Sequence, residues 1–129
     1  MVVESNLHLG KGIVRGDRFS IRRIVTGIPS GVLVSSASLY IKEALTDADS
    51  AAIIAKEITS SNVAGTGQVE DTGSSGTAKI RFDLVVADTE APVADQKYYF
   101  DMEVVLDSGD ILTIESGITS FREQVFRNE

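Results

Sequence analysis

Apolar side chains recur at every second position over much of the chain, which is the pattern of strands with one buried face. The segment 98–106 shows it most clearly, because its apolar residues share one face while Asp101 and Glu103 lie on the other. By the same alternation Tyr98 belongs to the core and Tyr99 points outward. Two further segments alternate, 37–42 and 80–86, and the segment 19–26 predicts a strand from its β-branched residues.

Glycine, proline and aspartate separate these strands. Pro29 stands between two glycines in the segment 27–31, and the segment 107–110 (Asp-Ser-Gly-Asp) predicts a tight turn into a partner strand that begins at Ile111. Gly117 predicts a bulge or bend before a last strand over 118–126. The glycine- and serine-rich stretch 60–77 predicts further turns inside one domain.

Helical spacing appears in one place. Ala51, Ile54, Ala55 and Ile58 recur at the period of a helix, which predicts a short helix or helical turn near 47–55 that leads into a strand at about 56–60. About seven short strands without a βαβ rhythm predict an all-β antiparallel sandwich, with a small barrel as the structural alternative. We expect an extended N-terminal arm over 1–14 and a single sandwich domain over 15–129.

Composition narrows the chemistry. The 129 residues include no cysteine and a single histidine, His8, so disulfides, thiolate metal sites, cysteine nucleophiles and a Ser–His pair are excluded or disfavoured. We therefore expect no catalytic residues, no cofactor and no metal. Because no run approaches about 18 apolar residues and the N-terminus lacks a signal-peptide pattern, we also expect no membrane partner.

The net charge of −7 opposes nucleic-acid binding, which depends on a basic surface. The charge is unevenly distributed, since residues 1–39 carry five basic and two acidic groups, whereas residues 40–129 carry seven and seventeen. One interpretation is that basic and acidic strands simply lie side by side in the fold. The other is that a positive edge on one copy meets an acidic face on another.

Two short motifs suggest chemistry. Arg15-Gly16-Asp17 is a cell-adhesion tripeptide in some extracellular proteins, but a Gly–Asp pair before a strand is also ordinary turn chemistry. Asp101 and Glu103 lie about 7 Å apart on one strand face, a separation used by some glycosidases. A solvated sheet face produces the same pair, and we favour the structural interpretation for both motifs.

Four segments taken together resemble a known family: 15–25 (RGDRFSIRRIV), 37–61 (ASLYIKEALTDADSAAIIAKEITSS), 76–92 (GTAKIRFDLVVADTEAP) and 97–125 (KYYFDMEVVLDSGDILTIESGITSFREQV). The set is similar to the immunoglobulin-like β-sandwich domain at the N-terminus of upper baseplate proteins of tailed bacteriophages. The resemblance implies an immunoglobulin-like sandwich and a virion component without enzymatic activity.

The resemblance further implies self-association into a homo-oligomer and docking to other virion proteins of the capsid, neck or tail, after assembly in the host cytoplasm. Members that anchor receptor-binding parts carry a long C-terminal extension, which we expect this protein to lack. This favours a small component of the tail, neck or baseplate, or a capsid decoration (cement) protein. The alternative function is a carbohydrate-binding or adhesion module on the same fold.

For self-association we expect contacts from the arm and from outward aromatic residues, because an extended arm can add a strand to another subunit's sheet edge. The candidate interface residues are Val2, Val3, Leu7, Leu9, Tyr99, Phe121 and Phe126.

Overall fold

A computed structural model of the chain describes residues 2–5 and 12–123. Within these residues the chain forms nine strands, a single-turn 3₁₀ helix at Asp49–Ala51 and one short α-helix. The strands are β1 (Val2–Ser5), β2 (Ile13–Val14), β3 (Phe19–Thr26), β4 (Val34–Lys42), β5 (Ile54–Ile58), β6 (Gly67–Thr72), β7 (Thr77–Leu84), β8 (Lys97–Leu106) and β9 (Ile111–Arg122), and the α-helix is α1 (Val86–Glu90).

The strands form two sheets. One has four strands in the order β1-β3-β7-β6, and the other has five in the order β2-β9-β8-β4-β5. The pairing within both sheets is antiparallel, apart from the parallel pairing of β2 with β9. Leaving out β2, the strands lettered A to G in chain order, with β5 as C′, give the sheets A-B-E-D and G-F-C-C′. That is the order of an immunoglobulin sandwich. The chain is therefore an immunoglobulin-like β-sandwich, which confirms the predicted fold class.

The core lies between the two sheets and consists of the inward side chains of the alternating strands. Its fully buried members include Ile21, Phe82, Leu39 and Met102. Tyr98 is buried among them, where its hydroxyl accepts a hydrogen bond from the Val93 backbone N–H at 2.8 Å. A tyrosine near the start of strand F that bonds back to the preceding loop is a hallmark of this fold, and here it fixes the entry to β8.

The helical elements differ in part from the sequence prediction. The predicted turn near 47–55 is the 3₁₀ turn Asp49–Ala51, and β5 begins at Ile54 rather than at about 56. The predicted strand over 80–86 ends at Leu84, because the chain turns into α1. Asp88 stabilises this turn, since its carboxylate accepts a hydrogen bond from the Val85 N–H and forms an ion pair with the Lys56 ammonium.

The last two predicted strands are one continuous strand, β9. Its bulge lies at Ile114, between the pairs Met102–Glu115 and Glu103–Thr113, and not at Gly117. Gly117 lacks a side chain for another reason: a Cβ there would lie 3.1 Å from the ring of Phe100. The position of the bulge decides which residues of β9 face the core.

The predicted arm boundary at residue 14 also needs correction. Val2–Ser5 pairs with β3 at the edge of the four-stranded sheet, and Ile13 is fully buried beside Phe121. These residues belong to the sandwich, because their backbone groups complete its sheets. Residues 6–11 lie outside the described residues.

Candidate functional site

The outer side of the five-stranded sheet, here called the front face, is the main candidate surface. Antiparallel partners share a face, so the register places the outward residues in rows. Lys42, Tyr99 and Ile118 form one row, and Tyr40, Asp101 and Ser116 form the next. Two further rows consist of Ser38, Glu103 and Thr113, and of Ser36, Val105 and Ile111.

Two large apolar side chains of this face are in contact with solvent. Ile111 is 63% exposed and Ile118 is 49% exposed. Each stands opposite a partly buried apolar residue of β8, Val105 and Tyr99 respectively. Both ends of the β8–β9 hairpin therefore present an apolar pair, with the carboxylates of Asp101 and Glu103 between them.

Lys42 is the most buried charge on the front face, at 7% exposure. Its ammonium donates a 2.6 Å hydrogen bond to Asp49 and lies 4.0 Å from Asp101 and 5.9 Å from the ring centre of Tyr40. The hydrogen bond to Asp49 raises the pKa of Lys42, and attraction by Asp49, Asp101 and Glu103 adds to the rise, while burial opposes it. Lys42 is thus held in its charged form and fixes the loop that carries Asp49 against the sheet.

Asp101 and Glu103 do share one strand face, as the alternation predicts. They stand on an open sheet surface, with Lys42 beside Asp101. A cleft of about 240 Å³ lies elsewhere, lined by Arg18, Ser20, Asp83 and neighbouring residues. The Asp83 carboxylate accepts hydrogen bonds from Ser20 and Arg81, so it already has partners within the chain.

Arg15-Gly16-Asp17 forms the turn between β2 and β3. The Arg15 guanidinium pairs with Glu123 and donates a 2.8 Å hydrogen bond to the Glu90 carbonyl. The buried hydroxyl of Thr89 accepts from the Gly16 N–H and donates to the Asp17 carbonyl. The guanidinium of Arg15 therefore has partners within the fold, as expected of a structural turn.

The outer side of the four-stranded sheet, here called the back face, carries three cations. Arg81 is held by Glu70 at 3.0 Å and by Asp83 at 3.1 Å. Arg22 is paired across the strands with Arg81 and lies 4.0 Å from Glu70. Lys79 is exposed and makes no ion pair with any residue that the structure describes.

One ion pair joins the two sheets inside the sandwich. The guanidinium of Arg23, on β3, donates two 2.9 Å hydrogen bonds to the carboxylate of Glu115, on β9. Arg23 is 1% exposed, and its third polar group donates to the Arg22 carbonyl. Because all three nitrogens of the guanidinium donate within the fold, the pair has a structural role.

The candidate interface residues that the structure describes lie in different parts of the fold. Tyr99 lies partly buried on the front face, and Val2 and Val3 pair through their backbones with β3. Phe121 is fully buried and packs edge-to-face against Tyr98 at 5.5 Å between ring centres. Its assignment to an interface was wrong, because the bulge at Ile114 turns it into the core. Leu7, Leu9 and Phe126 lie outside the described residues.

Ile118 and the pairing of Arg23 with Glu115 were missed from the sequence. Strict alternation from Ile111 would put Glu115 outside and Ile118 inside, but the extra residue at Ile114 reverses both. The position of Ile118 opposite Tyr99 on the outer face could be recognised only once the strand register was known. The role of Lys42 could not be predicted from the sequence either, because its partner Asp49 lies outside the strands.

Within the described ranges, 2–5 and 12–123, no group of three or more histidine, cysteine or acidic residues could hold a metal ion. None of their helices is both long enough and apolar enough for a membrane span.

No family model and no curated protein matches the chain. Among solved structures, murine CRIg matches with a TM-score of 0.45 and 11% identity over 95% of this chain and 98% of that chain. The fold assignment itself stands on the strand order and register described above.

Proposed function

We propose that this protein is a non-enzymatic structural component of a tailed-bacteriophage virion that acts by self-assembly and by docking to other virion proteins. The four segments that resemble phage baseplate sandwich domains support the virion context. The observation that carries the assembly role is the front face, where Ile111 and Ile118 expose 63% and 49% of their surface on one hairpin.

Exposed apolar residues on a flat sheet face favour a protein contact over a small-molecule site. A ligand site is usually a concave, mostly apolar pocket, whereas protein interfaces use flat patches with aromatic anchors. Tyr40 and Tyr99 can supply such anchors, because both are partly exposed aromatic residues of this face. The proposal covers four positions in the particle: capsid decoration, neck, tail and baseplate.

Quantitative mass spectrometry of purified particles of the encoding phage tests this function. The major capsid protein in the same sample serves as the internal copy-number standard. Hundreds of copies would identify a capsid decoration protein, and a few to a few dozen copies a neck, tail or baseplate component. Absence of the protein from intact particles would refute the virion role.

The alternative, a carbohydrate-binding module, has one favourable observation. Tyr40 and Tyr99 stand in adjacent rows of the front face, where aromatic rings could stack on a sugar. Binding of the purified protein to a glycan array, lost in a Tyr99→Ala variant, would support this function. We expect no glycan to be retained.

A further inference from the structure

The outward side chains at the centre of the β8–β9 hairpin form two unlike columns. Asp101 and Glu103 stand on β8. Their pairing partners on β9 are Ser116 and Thr113. Both partners are exposed, and their hydroxyls make no hydrogen bond to any residue that the structure describes. The hairpin therefore presents a column of carboxylates, which accept hydrogen bonds, beside a column of hydroxyls that can donate them.

Apolar pairs lie at both ends of these columns. Tyr99 is paired with Ile118 at one end. Val105 is paired with Ile111 at the other end. The two isoleucines, both on β9, are 49% and 63% exposed, whereas their partners on β8 are partly buried. Each end thus combines a more exposed apolar side chain on β9 with a less exposed one on β8.

We propose that two copies of this protein form a homodimer by packing their front faces together along the β8–β9 hairpin, with the twofold axis parallel to the strands and between them. This axis exchanges the two columns, so every outward residue of β8 lies over its own pairing partner on β9 of the second copy. The apolar pair at each end then meets the same pair of the second copy. The inference rests on the self-assembly part of the proposed function and names the surface and symmetry of the contact.

The polar centre of the hairpin is satisfied by the same arrangement. Asp101 lies over Ser116 of the second copy. Glu103 likewise lies over Thr113, so each hydroxyl can donate a hydrogen bond to a carboxylate. These contacts need no unpaired charge, because an ionised carboxylate has about four acceptor sites. Asp101 therefore keeps Lys42 at 4.0 Å within its own chain while it accepts from the second copy.

Repulsion between the two copies is weak in this arrangement. The two acidic columns are displaced by one strand spacing, about 4.8 Å, across sheets that pack about 10 Å apart, which leaves about 11 Å between them. Salt at about 0.1 M already weakens the interaction of exposed charges over that distance. Lys97 and Arg122, at the end of the front face beyond Tyr99, also reduce its negative charge.

A twofold axis perpendicular to the strands gives a poorer contact. It would lay each strand over the same strand of the second copy in the opposite direction. With the apolar ends superposed, Asp101 would lie over Glu103 of the second copy, so that carboxylates would face carboxylates and repel. The charges of the hairpin therefore favour the axis parallel to the strands.

The footprint of the contact is small. Two strands about 4.8 Å apart and about nine residues long cover roughly 300 Å². Stable complexes bury about 800 Å² per partner, so the dimer is weak alone and needs a high protein concentration or a particle that holds the copies close together. A covalent trap is therefore the suitable measurement.

Crosslinking of single introduced cysteines tests the arrangement, since the chain has none of its own. Lys97→Cys and Thr113→Cys each place one thiol at an exposed position of the hairpin, the first on β8 and the second on β9. In the dimer each thiol lies about 11 Å from that of the second copy, which is too far for a disulfide and suits a short bismaleimide. At roughly 100 μM protein we expect both variants to be trapped as dimers on a denaturing gel.

Glu57→Cys is the matched control. Glu57 is an exposed residue of β5 on the same front face, where it is paired with Ser38. Because β5 lies two strands away from β8, its thiols in the dimer would be about 26 Å apart, beyond the reach of the reagent. We expect each hairpin variant to give at least about fivefold more crosslinked dimer than this control.

A second pair of substitutions tests the apolar ends of the hairpin. Ile118→Arg places a charge in the apolar contact, and it should reduce crosslinking of Lys97→Cys to the level of the Glu57→Cys control. Leu45→Arg makes the same change at a residue that is 73% exposed between β4 and the 3₁₀ turn, and it should leave crosslinking unchanged. Circular dichroism should show a folded β-sandwich in every variant.

The inference is overturned if either hairpin variant is trapped no better than Glu57→Cys, or if Ile118→Arg leaves the trapping of Lys97→Cys unchanged. Trapping of Thr113→Cys alone would indicate the perpendicular axis. The presence of the protein in particles is measured separately by mass spectrometry, so the virion function could stand while this dimer failed.

Discussion

Arg23 is the largest fully buried side chain of the described core, although arginine is rarely found there. A guanidinium can be buried only if a carboxylate and other acceptors replace water, and Glu115 with the Arg22 carbonyl does so. This pair links the two sheets in a chain that has no cysteine for an inter-sheet disulfide.

Removing one partner of the buried pair should be costly. Glu115→Gln leaves the Arg23 charge without a counter-ion, so we expect the free energy of unfolding to fall by about 3 kcal/mol, measured by urea denaturation. Replacing both residues by methionine should cost less than half as much, because no buried charge remains.

Glu123→Gln is the control for this prediction, since it removes an exposed carboxylate that pairs with Arg15. Its cost should stay below about 1 kcal/mol. If Glu115→Gln were as mild as Glu123→Gln, the inter-sheet pair would not be important for stability.

Lys42 gives the fold a pH dependence in the alkaline range. Its pKa in the folded protein lies above the ordinary value of 10.5, mainly because of the hydrogen bond to Asp49. A raised pKa means that the folded state binds the proton more tightly, so the stabilisation is complete below pH 10.5 and is lost as the pH rises through the folded pKa.

Lys42→Met should therefore be less stable than the wild type by about 1 kcal/mol between about pH 7 and 9, since Asp49 is half exposed. The difference should shrink at higher pH, as measured by urea denaturation in a series of buffers. Lys97→Met, at an exposed position of the same sheet, is the control. A difference that stayed constant as the pH rose well above 10.5 would contradict the assigned role of the ammonium.

At the scale of elements, the β8–β9 hairpin shows what alternation predicts and what it does not. The turn 107–110 and the inward face of β8 follow from local sequence, because each depends on neighbouring residues. The bulge at Ile114 depends on how two strands align across the sheet, and it decides that Glu115 and Phe121 face the core. No local pattern in β9 marks that residue.

The start of β6 gives a prediction at the same scale. Gly67 has φ +128°, and a Cβ there would lie 2.0 Å from the Arg81 carbonyl oxygen of the paired strand. Gly67→Ala must therefore separate β6 from β7, and we expect a melting temperature more than about 10 °C lower, measured by circular dichroism.

Gly31→Ala is the matched control, because Gly31 also has a positive φ but has open space around it. Backbone strain alone should cost about 1 kcal/mol there. Equal losses at the two positions would show that the close approach of β6 and β7 is unimportant.

At the scale of the whole molecule, the arrangement of charges on the outer faces differs from their arrangement along the sequence. Along the sequence, a basic N-terminal part precedes an acidic remainder. In the fold, the pairing of β7 with β3 and β6 puts Arg22, Lys79 and the carboxylate-bearing Asp71 on one outer face. Basic and acidic strands therefore lie side by side in the fold, which is the first of the two interpretations of the uneven charge distribution.

Local patterns along the chain were enough to establish a β-sandwich, the strands that carry its core, and the opposite directions of Tyr98 and Tyr99. These features depend on the period-two alternation and on turn residues, which act over a few neighbouring positions. The burial of Phe121, the pairing of Arg23 with Glu115, and the shared face of Arg22 and Lys79 became visible only in the folded molecule. They depend on strand register and on contacts between distant segments, which pairing across a sheet sets and alternation along a strand cannot.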